Sequence, residues 1–142
     1  MRQFQRVLRV QTPGKSLSNV TEQLRMAVKE AGIETGLCHL FLRHTSASLL
    51  IQENADPDVL KDLEHCFSQL VPEGDFYRHN DEGPDDMPAH IRTALTHTSE
   101  QIPIANGKLV LGTWQGVYIW EHRDRSHSRE LVVHVVGESP MD

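Results

Sequence analysis

The residues between Tyr77 and Leu95 carry a dense set of side chains that can bind a metal ion. Two histidines, His79 and His90, stand there with four carboxylates and an amide, and almost no apolar residue precedes Ile91. Imidazole nitrogens and carboxylate oxygens are ligands of zinc, and catalytic zinc sites keep one position open. The two histidines, with a third nitrogen or oxygen ligand, therefore form a candidate site for a divalent metal, preferably zinc.

The spacing of the two histidines is not diagnostic of a metal site, so a plainer interpretation stays open. In that interpretation His79 is a solvated loop residue and His90 a half-buried helix residue, since scattered histidines are common. The sequence favours an ordered helix at the end of this segment over a disordered loop. Asp85 or Asp86 can accept the free N–H groups at the start of a helix, and Pro88 suits its first turn. We expect His90 in that turn, where the loop carrying His79 can fold back on it.

A second polar cluster surrounds an apolar, strand-like run between His44 and Pro57. Glu53, Asn54 and Asp56 follow the run directly. Asn54 and Asp56 have a structural explanation as a turn residue and a helix cap. No capping role requires His44 or Glu53, so these two are the stronger candidates for chemistry.

The sequence G-T-W-Q-G, Gly112 to Gly116, is a third candidate. Its glycines allow a backbone to approach a ligand closely, while Trp114 offers a stacking surface beside the amide of Gln115. The alternative is a turn or β-bulge with Trp114 in the core.

The segment from Glu121 to Arg129 places three arginines and two histidines within nine residues of an acidic chain. The planar guanidinium forks of Arg123 and Arg129 suit phosphate. Charged runs at strand ends are also typical of solvated hairpin tips, and the sequence alone does not choose between these interpretations.

Hydrophobic periodicity predicts the elements that position these residues. Three helices are expected, over residues 19–31, from Asp56 to just before Pro72, and from the Asp85–Asp86 cap to about residue 98. Residues 36–42 and 47–51 are predicted to form a hairpin or one long bent strand. The pattern indicates one α+β domain over residues 1–142, a mostly antiparallel two-sheet β-sandwich flanked by about three helices. The predicted strands cover residues 3–11, 36–42, 47–51, 108–111, 117–120 and 131–136.

Composition narrows the classes of function. The net charge of −6 argues against sequence-independent binding to nucleic acid, which depends on basic residues. No run approaches the roughly 20 apolar residues that span a bilayer, so no membrane partner is expected. Cys38 and Cys66 lack metal-binding or redox spacing and are predicted to be reduced core residues, which favours a cytoplasmic location.

Several motifs in order along the chain resemble those of the YjbQ-like family, whose members are described as secondary thiamine-phosphate synthases. The motifs span nearly the whole sequence. They are H-T-S-A-S-L, E-N-A-D-P, Y-x-H, D-D-M-P-A-H-I, the T-S-x-x-x-P-I that begins at Thr98, G-T-W-Q-G and E-H-R.

The resemblance implies a compact α+β homotrimer whose polar motifs form a pocket at or near subunit contacts. It also implies an enzyme that joins hydroxymethylpyrimidine diphosphate to hydroxyethylthiazole phosphate and releases pyrophosphate. A divalent metal is expected, zinc at the histidines, with magnesium an alternative in turnover. The expected partner is a small phosphorylated metabolite.

The candidate residues take three roles in this interpretation. The catalytic set is Glu53, Asp56, Gln115, Glu121 and Arg123. The substrate-binding set is His44, Asn54, Trp114 and Arg129. The metal ligands are His79 and His90, with His44 as the third. Residues 125–127 depart from the family pattern, in which glycine often precedes the final S-R pair. Two other functions stay open: a metal-assisted phosphohydrolase with Glu53 or Asp56 as base, and a non-catalytic trimeric module that binds a metal or a phosphorylated metabolite.

Overall fold

A computed structural model describes residues 1–140 of the protein as eight strands and three helices. The strands are β1 Arg2–Thr12, β2 Ser16–Asn19, β3 Thr35–Leu42, β4 Ala47–Glu53, β5 Ser99–Ala105, β6 Lys108–Leu109, β7 Gln115–Glu121 and β8 His127–Glu138. The helices are α1 Thr21–Ala31, α2 Pro57–Leu70 and α3 Asp86–Leu95.

The strands form two antiparallel sheets. The larger has the order β1-β8-β3-β5-β6, and the smaller has the order β2-β7-β4. The predicted α+β class, with two antiparallel sheets and three helices, is confirmed.

The two sheets and α1 share one hydrophobic core. Alternate residues of each strand face inward because successive side chains of a strand point to opposite faces. The amphipathic α1 covers part of this core with its apolar stripe. Core residues include Cys38, Leu40 and Leu42 of β3, Ala47 and Leu49 of β4, Val117 and Ile119 of β7, Leu131, Val133 and Val135 of β8, and Leu24, Ala27 and Val28 of α1.

Residues 43–46 carry the chain from the larger sheet to the smaller one. The expected hairpin or bent strand is therefore wrong, because β3 and β4 belong to different sheets. The N–H of Arg43 donates to the carbonyl of Glu130 at 3.2 Å, and the carbonyl of Ser46 accepts from the N–H of His122 at 3.4 Å. His44 and Thr45 thus lie where the two sheets join.

Two strands were not predicted from the sequence. β2 is only four residues long and half exposed, too short to show periodicity. β5 contains Pro103, which normally argues against a strand because proline donates no hydrogen bond. It is tolerated near the sheet edge, where the two-residue β6 pairs only with Ile104 and Ala105.

The ends of two helices differ from the predictions. α1 begins at Thr21 and not at residue 19, and the Asn19 side chain accepts from the Thr21 N–H at 3.0 Å. α3 ends at Leu95, because residues 99–105 form β5. The predicted start of α2 is confirmed, since Asp56 accepts from the Asp58 N–H at 3.0 Å.

α2 is less buried than its apolar stripe predicts. None of its residues is fully buried in the described chain, and Leu70 is 63% exposed. Cys66 is also exposed, so its predicted place in the core is wrong, whereas Cys38 is buried. Within residues 1–140 no helix is long and apolar enough to cross a membrane.

Candidate functional site

His79, Asp86 and His90 converge at the N-terminal end of α3. One ligand atom of each side chain lies within 4.8 Å of the others. Asp86 and His90 are four residues apart, so the helix projects them from one face. The preceding loop brings the His79 ring to 5.3 Å from the His90 ring, measured between ring centres. Loop and helix together assemble two imidazoles and one carboxylate.

A backbone contact sets the orientation of the His90 ring. Its Nδ1 lies 2.8 Å from the carbonyl oxygen of Thr45. A carbonyl oxygen only accepts, so Nδ1 carries the proton and neutral His90 presents the lone pair of Nε2. That nitrogen lies 3.3 Å from Oδ2 of Asp86. A cation between these two acceptors would stabilise the arrangement.

Asp86 is buried among cationic groups. Burial by itself raises its pKa, but the hydrogen bond with His79 and the charge of Arg123 outweigh burial, so the pKa of the Asp86 carboxyl is lowered. Arg123 Nη1 lies 2.8 Å from Asp86 Oδ1, while Oδ2 contacts Nε2 of His79. Asp86 is therefore ionised at neutral pH, with one oxygen on the arginine and the other on the histidines.

Arg123 is fully committed to the loop before α3. Besides Asp86, its Nε donates to Oδ2 of Asp85 at 2.8 Å and its Nη2 to the carbonyl of Glu82 at 2.9 Å. Burial alone raises the pKa of Asp85, but the Arg123 hydrogen bond outweighs it and the pKa is lowered. Arg123 thus holds Asp86 in place.

The His79 side of the cluster is open. Its side chain is 43% exposed, and its hydrogen bond with Asp86 raises the pKa of the imidazole. Oε2 of Glu82 lies 3.4 Å from His79 Nε2 and adds a second carboxylate nearby. A metal or a substrate can reach the cluster from this side.

His44 lies outside the cluster. Its Nε2 accepts the backbone N–H of Glu130 at 2.7 Å, which uses the single lone pair of a neutral imidazole. Burial is the main cause that lowers the pKa of His44, so the ring is neutral near pH 7. Asp86, and not His44, thus completes the cluster with His79 and His90.

Glu121 and Arg129 form a buried ion pair. Arg129 Nε donates to Glu121 Oε1 at 2.7 Å, and Nη2 contacts both Glu121 Oε2 and the Ser46 hydroxyl, the latter at 3.1 Å. The Thr12 hydroxyl donates to Glu121 Oε1 at 2.7 Å. Burial raises the pKa of Glu121, but these hydrogen bonds outweigh it and the pKa is lowered. The pair ties β1, β7 and β8 to the segment between the sheets.

Glu53, Asn54 and Gln115 meet at the far end of the smaller sheet. Glu53 Oε2 accepts the Ala55 N–H at 3.0 Å. Asn54 Nδ2 donates to the carbonyl of Gln115 at 3.2 Å, while Gln115 Oε1 accepts the Gly112 N–H at 2.7 Å. The Asn54 amide thus joins the turn after β4 to the segment before β7, whereas Glu53 and Gln115 each bond within their own segment.

Asp56 and Trp114 lie in the same region as that group. Asp56 caps α2, and Trp114 is 64% exposed, which answers the question of whether it lies in the core. The strand register separates this region from the histidines, because Glu53 pairs with Gln115 whereas Ala47 pairs with Glu121. Six strand residues span about 20 Å. Within one chain the predicted site residues therefore form two groups.

The sequence pattern predicts Asp85 and Asp86 only as possible helix caps, so neither was among the predicted site residues. Asp85 does stand at the N-cap, but its side chain bonds to Arg123 and to the Asp124 N–H at 2.9 Å instead of the helix. The spacing of Asp86 and His90 on a predicted helix was the available signal, since residues four apart share a face.

Comparison with known proteins identifies the family. A family model described as UPF0047 protein YjbQ-like matches residues 6–138. The chain belongs to this family. A UPF0047 protein of Synechocystis sp. is 64% identical over 138 residues, which cover 96% of this chain and 94% of the relative. The YjbQ protein of Escherichia coli O157:H7 is 38% identical over 136 residues, which cover 95% and 99%.

Solved structures of the YjbQ-like family share the fold. A YjbQ/UPF0047 family protein of Clostridium acetobutylicum superposes with a TM-score of 0.84 at 34% identity, covering 92% of this chain and 99% of that one. A protein of Sulfolobus solfataricus, described as of unknown function, gives a TM-score of 0.84 at 22% identity and covers 96% and 99%. The second likeness concerns the fold alone.

Proposed function

We propose that this protein is a metal-dependent transferase acting on small phosphorylated metabolites. The reaction that its resemblance implies joins hydroxymethylpyrimidine diphosphate to hydroxyethylthiazole phosphate, giving thiamine phosphate and pyrophosphate. The observation that carries the proposal is the convergence of His79, Asp86 and His90 within 4.8 Å on an open face.

The donor chemistry of this cluster fits a divalent metal. Two imidazole nitrogens and a carboxylate oxygen are ligands of catalytic zinc, whereas magnesium prefers oxygen ligands alone. The Thr45 carbonyl on His90 Nδ1 is the kind of outer contact that orients a metal-binding histidine. Arg123 orients Asp86 in the same way. Zinc held by these three side chains is therefore the metal we expect.

The chemistry demands positioning more than proton transfer. The thiazole nitrogen donates its lone pair to the methylene carbon on the pyrimidine ring, and the C–O bond breaks. Pyrophosphate leaves with the bonding electrons. The chain must align the two substrates and neutralise charge on the leaving group. A divalent metal, when bound, supplies that positive charge.

The arginines of the site do not supply a free cation. Arg123 is bonded to Asp85 and Asp86, and Arg129 is bonded to Glu121. The carboxylates around the histidines repel a diphosphate that is not neutralised. We therefore expect turnover to depend strictly on metal, with Arg123 acting through Asp86.

We also propose a closed homotrimer in which the two groups of polar residues meet across a subunit contact. The separation of about 20 Å within one chain supports this, because neither group alone contains all the motif residues. Trp114, Leu70 and Phe76 are each more than 60% exposed, which is typical of contact surfaces. A monomer mass by light scattering at micromolar concentration would contradict the trimer.

The reaction is tested by mixing zinc-loaded protein with both substrates and following thiamine phosphate directly. Product is expected with the parent and with His97→Ala, which removes an exposed histidine just after α3. His90→Ala should lose product. No product from a parent whose metal site is shown to be filled would reject the synthase.

Two other results of the same assay would each replace the proposal. Tight binding of the pyrimidine diphosphate without turnover favours the non-catalytic binding module. Release of phosphate or pyrophosphate that does not depend on the thiazole favours a phosphohydrolase.

A further inference from the structure

A cavity of about 710 Å³ adjoins His90, between α3 and the segment that joins β3 to β4. Among residues 1–140 its lining contains no carboxylate, although the chain has a net charge of −6. Its volume suits a small metabolite. The polar lining consists of Arg43, His44, Thr45, His90, Thr93, Thr96 and Thr98.

A second cavity near the cluster, of about 560 Å³, has the opposite character. Four carboxylates line it together with Arg123, Arg125 and His127, and Arg123 is already bonded to Asp85. Because the carboxylates outnumber the two arginines, this cavity is less favourable for an anion than the first. The acidic residues of the second cavity are Asp81, Glu82, Asp85 and Asp124.

His44 is fixed as a hydrogen-bond donor in the first cavity. Because Nε2 accepts the Glu130 N–H at 2.7 Å, the neutral ring carries its proton on Nδ1. That N–H is then available to an acceptor atom of a ligand, such as a phosphate oxygen.

Arg43 supplies the positive charge of the same cavity. Its side chain is 57% exposed, and the nearest ion-pair contact is 3.7 Å, from Nη1 to Oε2 of Glu130. An exposed pair of this length contributes little, so the guanidinium can turn to a bound anion. By contrast, Thr93 and Thr96 donate to the carbonyls of Ala89 and Arg92 at 2.9 and 2.8 Å, which leaves their oxygens as acceptors.

We propose that this cavity binds the phosphate-bearing end of a small phosphate monoester, with Arg43 and the Nδ1–H of His44 as donors. The inference rests on the proposed function, because His90 belongs to both the cavity and the metal cluster. A molecule held there lies beside His90, the residue that would also hold the metal. Anion recognition is thereby assigned to Arg43 and His44, and Arg123 and Arg129 keep positioning roles.

Binding is tested without turnover, by adding inorganic phosphate to ¹⁵N-labelled protein with and without zinc. Because the donors of the subsite are protein groups and not zinc, phosphate should change the chemical shifts with and without zinc. The expected signals are the amides of residues 43–45 and 93–98 and Nδ1 of His44. Shifts confined to residues 81–85 and 123–127, or no shifts at all, would overturn the proposal. If the expected amides shift in a protein that binds no zinc, the metal centre is rejected and the phosphate subsite is still supported.

A matched pair of variants adds a quantitative test. Arg43→Gln should weaken phosphate binding at least tenfold, roughly 1.4 kcal/mol, because it removes a charge-assisted hydrogen bond. Arg125→Gln makes the same change at the acidic cavity and should leave binding within about twofold. Equal weakening by the two variants, or none by Arg43→Gln, would contradict the assignment. Zinc content should be the same in both.

Discussion

The imidazole of His90 donates through Nδ1 to the carbonyl oxygen of Thr45, 2.8 Å away, and so directs Nε2 to Asp86. This bond connects α3 to the segment between the two sheets. The backbone between the two sheets therefore orients the His90 ring, which is a proposed metal ligand.

This bond predicts the tautomer of His90. In metal-free protein at pH 8, ¹⁵N spectra of the imidazole should show the proton on Nδ1, because the Thr45 carbonyl can only accept. Adding zinc should shift Nε2 strongly and Nδ1 weakly. A proton on Nε2 in the metal-free protein would contradict the geometry.

Arg123→Ala should weaken zinc binding by about tenfold to a hundredfold, because Asp86 loses the contact that orients it. Turnover should fall with metal occupancy, and by more than in Trp114→Phe. Arg123→Lys should recover only part of the affinity, since an ammonium lacks the guanidinium fork that reaches both aspartates. Arg125→Ala is the control, and calorimetric zinc titration is the measurement. If Arg123→Ala binds zinc as tightly as the parent does, Arg123 does not position Asp86 for the metal.

The buried pair of Glu121 and Arg129 should contribute to stability. Either Glu121→Gln or Arg129→Met is expected to lower the free energy of unfolding by about 3 to 5 kcal/mol, because each leaves a buried charge unpaired. The double variant should cost less than the sum of the two. Urea unfolding measures this, with the exposed Arg125→Ala expected within about 0.5 kcal/mol of the parent. Additive losses would show that the two side chains act separately.

His122 should make the protein sensitive to mild acid. The ring is buried, with Nε2 2.9 Å from the Ser48 hydroxyl, and burial lowers its pKa from 6.5 to about 3. Below about pH 6.5 the imidazole of His122 binds a proton in the unfolded chain but stays neutral in the folded chain. Stability from this group is thus present above pH 6.5 and is lost as the pH falls towards 3.

The effect of His122 is measured by urea unfolding between pH 7 and pH 4.5. Relative to His122→Gln, the parent should lose about 1.4 kcal/mol more per pH unit below pH 6. The comparison uses the slopes, so a lower absolute stability of the variant does not affect it. Identical slopes would show that the folded ring titrates normally.

The fold was largely predictable because its core is periodic. The apolar runs of β3 and β8 and the stripe of α1 reflect burial against one core, and burial is what a hydrophobic pattern reports. β5 was missed because Pro103 breaks that pattern, and β2 because four residues show no period. The separation of β3 and β4 into two sheets depends on contacts such as the one from Arg43 to Glu130, which are distant in sequence.

The candidate site was predictable only in part. His79 and His90 are visible as residue types, and the structure places them together. Asp86 was not predicted as a site residue because an aspartate at this position also suits a helix cap. The lone pair of His44 accepts the backbone N–H of Glu130, a contact that no sequence motif predicts. The commitment of Arg123 to Asp85 likewise depends on a contact between residues 38 positions apart.

The central claim is that His79, Asp86 and His90 hold one divalent metal per chain. It is tested most directly by titrating chelator-treated protein with zinc and measuring stoichiometry in the parent, Asp86→Asn, His90→Ala and His44→Ala, with folding checked by circular dichroism. We predict one zinc per chain in the parent and in His44→Ala, and at least a hundredfold weaker binding, roughly 2.7 kcal/mol, in the other two. Unchanged zinc binding by folded Asp86→Asn and His90→Ala would contradict the account.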